Sequence, residues 1–161
     1  MSDPCSLAIF GSTGNLARNK LLPALYHLEL AGKLAPATRV LGLGRRDWSD
    51  EVWREEVKGA LEGRVRGTLD TEVLARLTSR LHFVSGDLTE ADAYARLHAR
   101  LRDDPEMPEN LIFYLAVSPS HYAEVADQLA AHGLNAAGAG WTRLVVEKPF
   151  GFDLESATIL E

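Results

Sequence analysis

The sequence predicts an α/β fold, a doubly wound parallel sheet built as a single domain over residues 1–161. Three observations carry this. Short runs rich in Val, Leu, Ile and Phe alternate with longer stretches of helical period, in the order β-α-β-α-α-β-α-β-α-β. The runs are almost continuously apolar, as strands covered on both faces must be. The chain is 46% hydrophobic and long enough for one core, with no repeat, low-complexity tract or interdomain linker.

The elements follow in order. A first strand is predicted over 6–10, then the turn Gly11-Ser12-Thr13-Gly14-Asn15-Leu16-Ala17 and a helix over 16–31 closed by Gly32. A second strand over 39–42 leads into Leu43-Gly44-Arg45-Arg46. Ser49 or Asp50 caps a helix over 50–62 carrying Trp53 and Val57, and a further helix spans 71–79. The third strand is 81–84, followed by a helix over 90–102 with Thr89 before its start. The fourth strand is 111–117, Ser120 caps a helix over 120–133 that ends at Gly133, and the fifth strand is 143–146. Residues 63–67 and 135–140 are connections inside the domain.

Charge and cysteine content narrow the partners. Net charge is −6 with both signs interspersed, which is no footprint for a nucleic-acid backbone. The single cysteine, Cys5, forms no internal disulfide, and no Cys/His cluster has metal-site spacing, so no metal is expected. The N-terminal residues lack a basic signal region and no apolar run is long enough to cross a membrane, so the expected location is cytoplasmic.

The chemistry sits after the strands. In Gly-x-x-Gly-x-x-Ala, Gly11 allows a tight turn, Gly14 lets backbone approach a diphosphate, and small Ala17 lets helix pack on strand. The helix then presents free N–H groups and a positive dipole end to an anion. Arg45 and Arg46 offer bidentate donors to a ribose 2′-phosphate, which favours NADP. They also read as a solvated pair facing Asp47 and Glu51, and Asp47 is the acidic alternative for a 2′-hydroxyl. Arg18 and Lys20 either screen the diphosphate or point to water. Ala116, Val117 and Ser118 close the fourth strand, where they border the nicotinamide ribose side of such a crevice. Lys148 follows the fifth strand at the same edge. Pro149 restricts it to extended conformations, and it reads either as a solvated lysine or as a ligand for a sugar hydroxyl or phosphate.

Five stretches, IFGSTGNLARNKLLPALYHL, VLGLGRRDWSDE, FVSGDLTEADAYARL, NLIFYLAVSP and VVEKPFG, together make the chain resemble the Rossmann-like coenzyme domain of the glucose-6-phosphate dehydrogenase family. The resemblance implies oxidation of glucose 6-phosphate at C1 to 6-phosphoglucono-lactone, with hydride passing to NADP, in the pentose phosphate pathway. It implies Gly11, Ser12, Thr13, Gly14, Asn15 and Leu16 at the diphosphate, Arg45 and Arg46 at the 2′-phosphate, and Ala116, Val117, Ser118 and Pro119 beside the nicotinamide ribose. Lys148 would touch both substrate and coenzyme. The family usually has Asp where Asn15 stands, which removes a charge near the diphosphate.

The family's Arg-Ile-Asp-His-Tyr-Leu-Gly-Lys segment and the α+β domain that supplies its histidine base have no counterpart in these residues. His27, His82, His98, His121 and His132 read as surface or cap residues, His121 being the least remote. The expectation is a coenzyme domain that binds nucleotide, catalyses little alone and self-associates through surface that the further domain would cover. The alternative is a non-catalytic interaction or dinucleotide-sensing module, completed by a partner chain. A short-chain reductase is excluded as an enzyme. The residues four after Tyr26, Tyr94, Tyr114 and Tyr122 are Leu30, His98, Ser118 and Ala126, and none is the lysine such enzymes need.

Overall fold

A computed structural model describes residues 3–136 and 138–147. The strands are β1 (Ser6–Phe10), β2 (Arg39–Gly44), β3 (Leu81–Ser85), β4 (Leu111–Leu115) and β5 (Thr142–Val146), and the helices α1 (Leu22–Leu30), α2 (Asp50–Glu62), α3 (Thr71–Ser79), α4 (Ala91–Asp103) and α5 (Tyr122–Ala131). All strand pairs are parallel, in the spatial order β3-β2-β1-β4-β5. The chain thus winds outward from β1 twice, first through β2 and β3, then through β4 and β5. The predicted doubly wound sheet is the observed one.

Each face of the sheet carries its own core, because successive side chains of a strand point to opposite faces. Phe10, Leu41 and Phe113 pack with Tyr94 and Leu97 of α4 and Val125 of α5. Ile9, Val40 and Leu81 pack with Tyr26 of α1, Trp53 and Leu61 of α2 and Leu77 of α3. Gly42 leaves room for the second group, since a Cβ there would lie 2.6 Å from the Trp53 ring.

Three local expectations are corrected. The helix predicted over 16–31 is interrupted by a π turn at Ala17–Leu21 before it continues as α1 from Leu22. Pro23 supplies the reason. It lacks an N–H and its ring crowds the carbonyl four residues back, and the wider turn moves that carbonyl aside. β4 stops at Leu115, and the next turn of chain, Pro119–His121, is a 3₁₀ helix. Ser120 lies inside that turn and exchanges a hydroxyl bond with Ser118 at 3.1 Å, so it does not cap α5. Of the two candidate caps for α2, Ser49 is the one whose side chain accepts from the Val52 N–H, at 3.2 Å.

Asp50 is instead occupied at the outer edge of β3. Its Oδ1 accepts the Phe83 N–H at 2.7 Å, and Oδ2 meets His82 Nδ1 at 3.1 Å and Arg100 Nη2 at 3.2 Å. Arg54 donates to the Leu81 carbonyl at 2.9 Å and Arg96 to that of Ser85 at 2.9 Å. Side chains thereby take the outward hydrogen bonds that another strand would otherwise claim. Below the sheet, buried Glu29 pairs with buried Arg80 at 3.0 Å, and Arg80 also donates to the carbonyls of Ala35, Pro36 and Thr38, tying α1 to the approach to β2.

Partial burial raises the Asp50 pKa, but the Phe83 N–H, His82 and Arg100 outweigh it and hold the carboxyl below its ordinary value. A depressed folded-state pKa contributes stability that is present above the unfolded value and lost as pH falls through the folded one. In urea titrations Asp50→Ala should cost about 1–3 kcal/mol at neutral pH. That difference should narrow below about pH 4; a difference independent of pH would mean that the carboxylate charge is not what seals the edge.

Candidate functional site

The carboxyl ends of β1, β2, β3 and β4 open into one crevice with about 400 Å³ of interior space. Gly11 makes it possible. Its φ is +80°, and a Cβ there would sit 2.4 Å from the Ala116 carbonyl oxygen, so the chain leaves β1 pressed against the end of β4. Gly14 N–H closes the turn on the Gly11 carbonyl at 3.0 Å, and the first helical bond runs from Arg18 N–H to the Gly14 carbonyl at 3.1 Å. The amides of Thr13, Asn15 and Leu16 therefore precede any intrahelical acceptor and remain available to an anion.

Ser12 plays a different part from its neighbours. It is 1% exposed, and both its N–H and its hydroxyl donate to the Leu43 carbonyl, at 3.2 and 2.9 Å, so the loop is fastened to β2. Gly11, Thr13 and Gly14 line the crevice, as do Arg45 at the end of β2 and Ala116, Val117 and Ser118 beyond β4. Asn15 and Arg46 are exposed outside its lining, Arg46 with its guanidinium 5.8 Å from the Trp48 ring centre. Leu16 and Pro119 also stand outside the lining, at its margins. Arg18 and Lys20 are exposed to solvent.

Residues after β3 complete the crevice: Gly86, Asp87, Leu88 and Thr89, with Ala93 of α4 and His121 of the 3₁₀ turn. The Asp87 carboxylate accepts from Thr89 N–H at 2.9 Å and Thr89 Oγ1 at 2.8 Å; these bonds, then the Arg45 and His121 charges, hold its pKa below the ordinary carboxylate value. Sequence reasoning assigned Asp87 no role and read Thr89 only as a signal before the helix, whereas its hydroxyl donates to Asp87. The signal was present in FVSGDLTEADAYARL, which falls at the carboxyl end of the third strand.

At the end of β5 the Glu147 carboxylate accepts from the Tyr114 hydroxyl, and the Tyr122 hydroxyl donates to the Glu147 carbonyl at 3.3 Å. Burial, followed by the Glu147 carboxylate, pushes the Tyr114 pKa up to about 12, so its proton stays in place at neutral pH. Glu147 thus holds two tyrosines from β4 and α5. Lys148 and Pro149 lie outside the described residues. Among the described residues, no helix is long and apolar enough to cross a membrane, and no group of three His, Cys, Asp or Glu could hold a metal ion.

Residues 8–161 match the family described as glucose-6-phosphate dehydrogenase, NAD binding domain. The chain belongs to the glucose-6-phosphate dehydrogenase family. Similar family members include glucose-6-phosphate 1-dehydrogenase of Mycolicibacterium smegmatis, 42% identical over 158 residues that cover 96% of this chain and 31% of the relative, and that of Bacillus subtilis, 37% identical over 157 residues with 96% and 31% covered. The solved glucose-6-phosphate 1-dehydrogenase of Mycobacterium avium superposes with a TM-score of 0.82 at 34% identity, covering 98% of this chain and 33% of its own. A glucose-6-phosphate dehydrogenase solved in complex with its substrate glucose-6-phosphate superposes with a TM-score of 0.84 at 32% identity, covering 99% and 34%. The chain spans about a third of the length of these glucose-6-phosphate dehydrogenases.

Gly11→Ala places a side chain on a left-handed residue and against the Ala116 carbonyl. The strained backbone alone should cost about 1–3 kcal/mol in chemical denaturation. Gly14→Ala is the comparison: its Cβ would approach the Gly11 carbonyl at 3.3 Å without a positive φ, and it should cost less.

Proposed function

We propose that this chain is the coenzyme-binding part of an NADP-dependent glucose 6-phosphate dehydrogenase. The observation that carries the proposal is the convergence on one crevice of the amides after Gly11, which suit a diphosphate, and the Arg45 guanidinium, which suits a 2′-phosphate. On this reading the turn 11–16 holds the diphosphate through its N–H groups, while Ser12 keeps that turn seated on β2. Asn15 binds through its backbone and is neutral. Arg45 makes the charge-assisted contact that separates NADP from NAD, and Arg46, stacked near Trp48, adds positive charge at the rim. Asp47 is exposed beside them. Ala116, Val117, Ser118 and Pro119 form the wall beside the nicotinamide ribose.

Bound NADP supplies the hydride acceptor for oxidation of the C1 hydroxyl of glucose 6-phosphate. Lys148 is assigned to the substrate side, and Tyr114 and Tyr122 support this by pinning the preceding residue at the end of β5. The hydroxyl proton also needs an acceptor. His121 lines the crevice within electrostatic range of Asp87, and the family resemblance assigns the acceptor to a histidine of a segment other than those described here. The same reading places the reaction in the pentose phosphate pathway and in the cytoplasm, which suits a chain with the single thiol Cys5.

Calorimetric titration tests the coenzyme. Arg45→Ala should weaken NADP binding about 10- to 100-fold and leave NAD nearly unchanged; an unaltered NADP affinity removes the 2′-phosphate assignment. The substrate is tested by following NADPH formation from glucose 6-phosphate with the purified chain. Turnover should be at most a trace, and a rate of about 10 s⁻¹ or more, ordinary for enzymes, would show that the acceptor lies within these residues.

A further inference from the structure

The outer edge of β3 is guarded, but one stretch of it stays open. The Val40 N–H donates to the Arg80 carbonyl and the Gly86 N–H to the Gly44 carbonyl, each at 2.9 Å. With the register Leu41↔His82 and Leu43↔Val84, these bonds turn the backbone groups of His82 and Val84 toward β2 and those of Leu81, Phe83 and Ser85 outward. Arg54 takes the Leu81 carbonyl, Asp50 the Phe83 N–H and Arg96 the Ser85 carbonyl. Among the described residues, no hydrogen bond reaches the Phe83 carbonyl or leaves the Ser85 N–H. Phe83 and Ser85 line a groove of about 580 Å³ between β3 and α4, and it shares no lining residue with the crevice.

We propose that this groove docks an extended segment of a partner protein, running parallel to β3 and centred on one acidic residue opposite Val84. In a parallel pair one residue donates to the Phe83 carbonyl and accepts from the Ser85 N–H, which satisfies both open groups. An antiparallel segment would aim a carbonyl at the Asp50 carboxylate and an N–H at the Arg96 guanidinium, where the guards already stand. The same guards hold the pairing to a single residue, so the edge does not recruit a whole strand. The side chain of the docked residue lies on the Val84 face, which is that of α4. There Arg96 commits its Nε to Ser85 and Arg100 its Nη2 to Asp50, and their remaining N–H groups suit a carboxylate. The residues on either side turn to the opposite face, where the Trp48 and Phe83 rings, 5.6 Å apart, suit apolar side chains. α4 descends along β3, from Arg96 at Ser85 to Arg100 at Asp50, so Asp103 and Asp104 stand at the start of the groove and suit a base two residues before the acid.

The probe is a fluorescein-labelled, amidated peptide of sequence Ser-Lys-Val-Glu-Val-Ser, titrated with the full chain and followed by fluorescence anisotropy. It should bind saturably, and replacing its Glu by Gln should weaken binding about tenfold, the difference one charge-assisted hydrogen bond makes. Methylating the backbone nitrogen of that Glu removes the donor to Phe83 and should weaken binding by a similar factor. On the protein, Ala99 is exposed on α4 between the two arginines, so Ala99→Glu sets a like charge beside the docked acid without touching the core. That variant should bind the peptide about tenfold less tightly while its thermal unfolding stays close to that of the unmodified chain. No saturation below about 1 mM overturns the proposal. So does equal binding of the N-methylated peptide, because the groove then attracts an anion without pairing to a strand, and so does unchanged binding by Ala99→Glu, because the peptide then sits elsewhere.

Discussion

The close approach of Gly11 to the carbonyl of Ala116 is the constraint on which the rest of the molecule turns. β1 lies at the middle of the sheet, and the two halves of the chain wind away from it in opposite directions. Where they part, the ends of β1 and β4 must diverge enough to open a crevice yet stay close enough to pack. A residue without a side chain, at positive φ, satisfies both demands. The turn that follows has its Ser12 hydroxyl tied to β2, and the helix after it starts with unpaired amides directed at the space so created.

Polar groups are treated differently at the two margins of this sheet region. Along the outer edge of β3, Asp50, Arg54 and Arg96 spend their side chains on the free backbone groups of the strand. Around the crevice, Arg45 and His121 each stand within electrostatic range of Asp87, and Asp87 keeps hydrogen-bonding capacity for something else. Asp50 and Asp87 are the same residue type, and both have lowered pKa values. Asp50 is satisfied at both oxygens and stabilises the fold, whereas Asp87 is satisfied at one and faces the site.

Most of the architecture was legible because parallel strands buried on both faces need long apolar runs, and such runs look like little else. All five strands and the glycine turn could be placed from that pattern. What failed was local. Pro23 was visible within a helical stretch, but whether the helix breaks, kinks or widens depends on how its neighbours pack, and a π turn was the outcome. Ser120 has the chemistry of a cap, but the Pro119 turn placed it one step too early and paired it with Ser118.

The sequence by itself determined the fold class, the turn after β1 and the basic pair after β2, since each follows from periodicity or from the conformational needs of a few adjacent residues. Only the tertiary structure decided which side chains share the crevice. Asp87 and His121 are remote in sequence from Gly11 and Arg45, and winding four strands side by side brings them together. The same distinction separates Arg45 from Arg46. β2 ends at Gly44 and the chain bends at both arginines, so that one lines the crevice while the other lies by Trp48, a difference that no property of the two side chains contains.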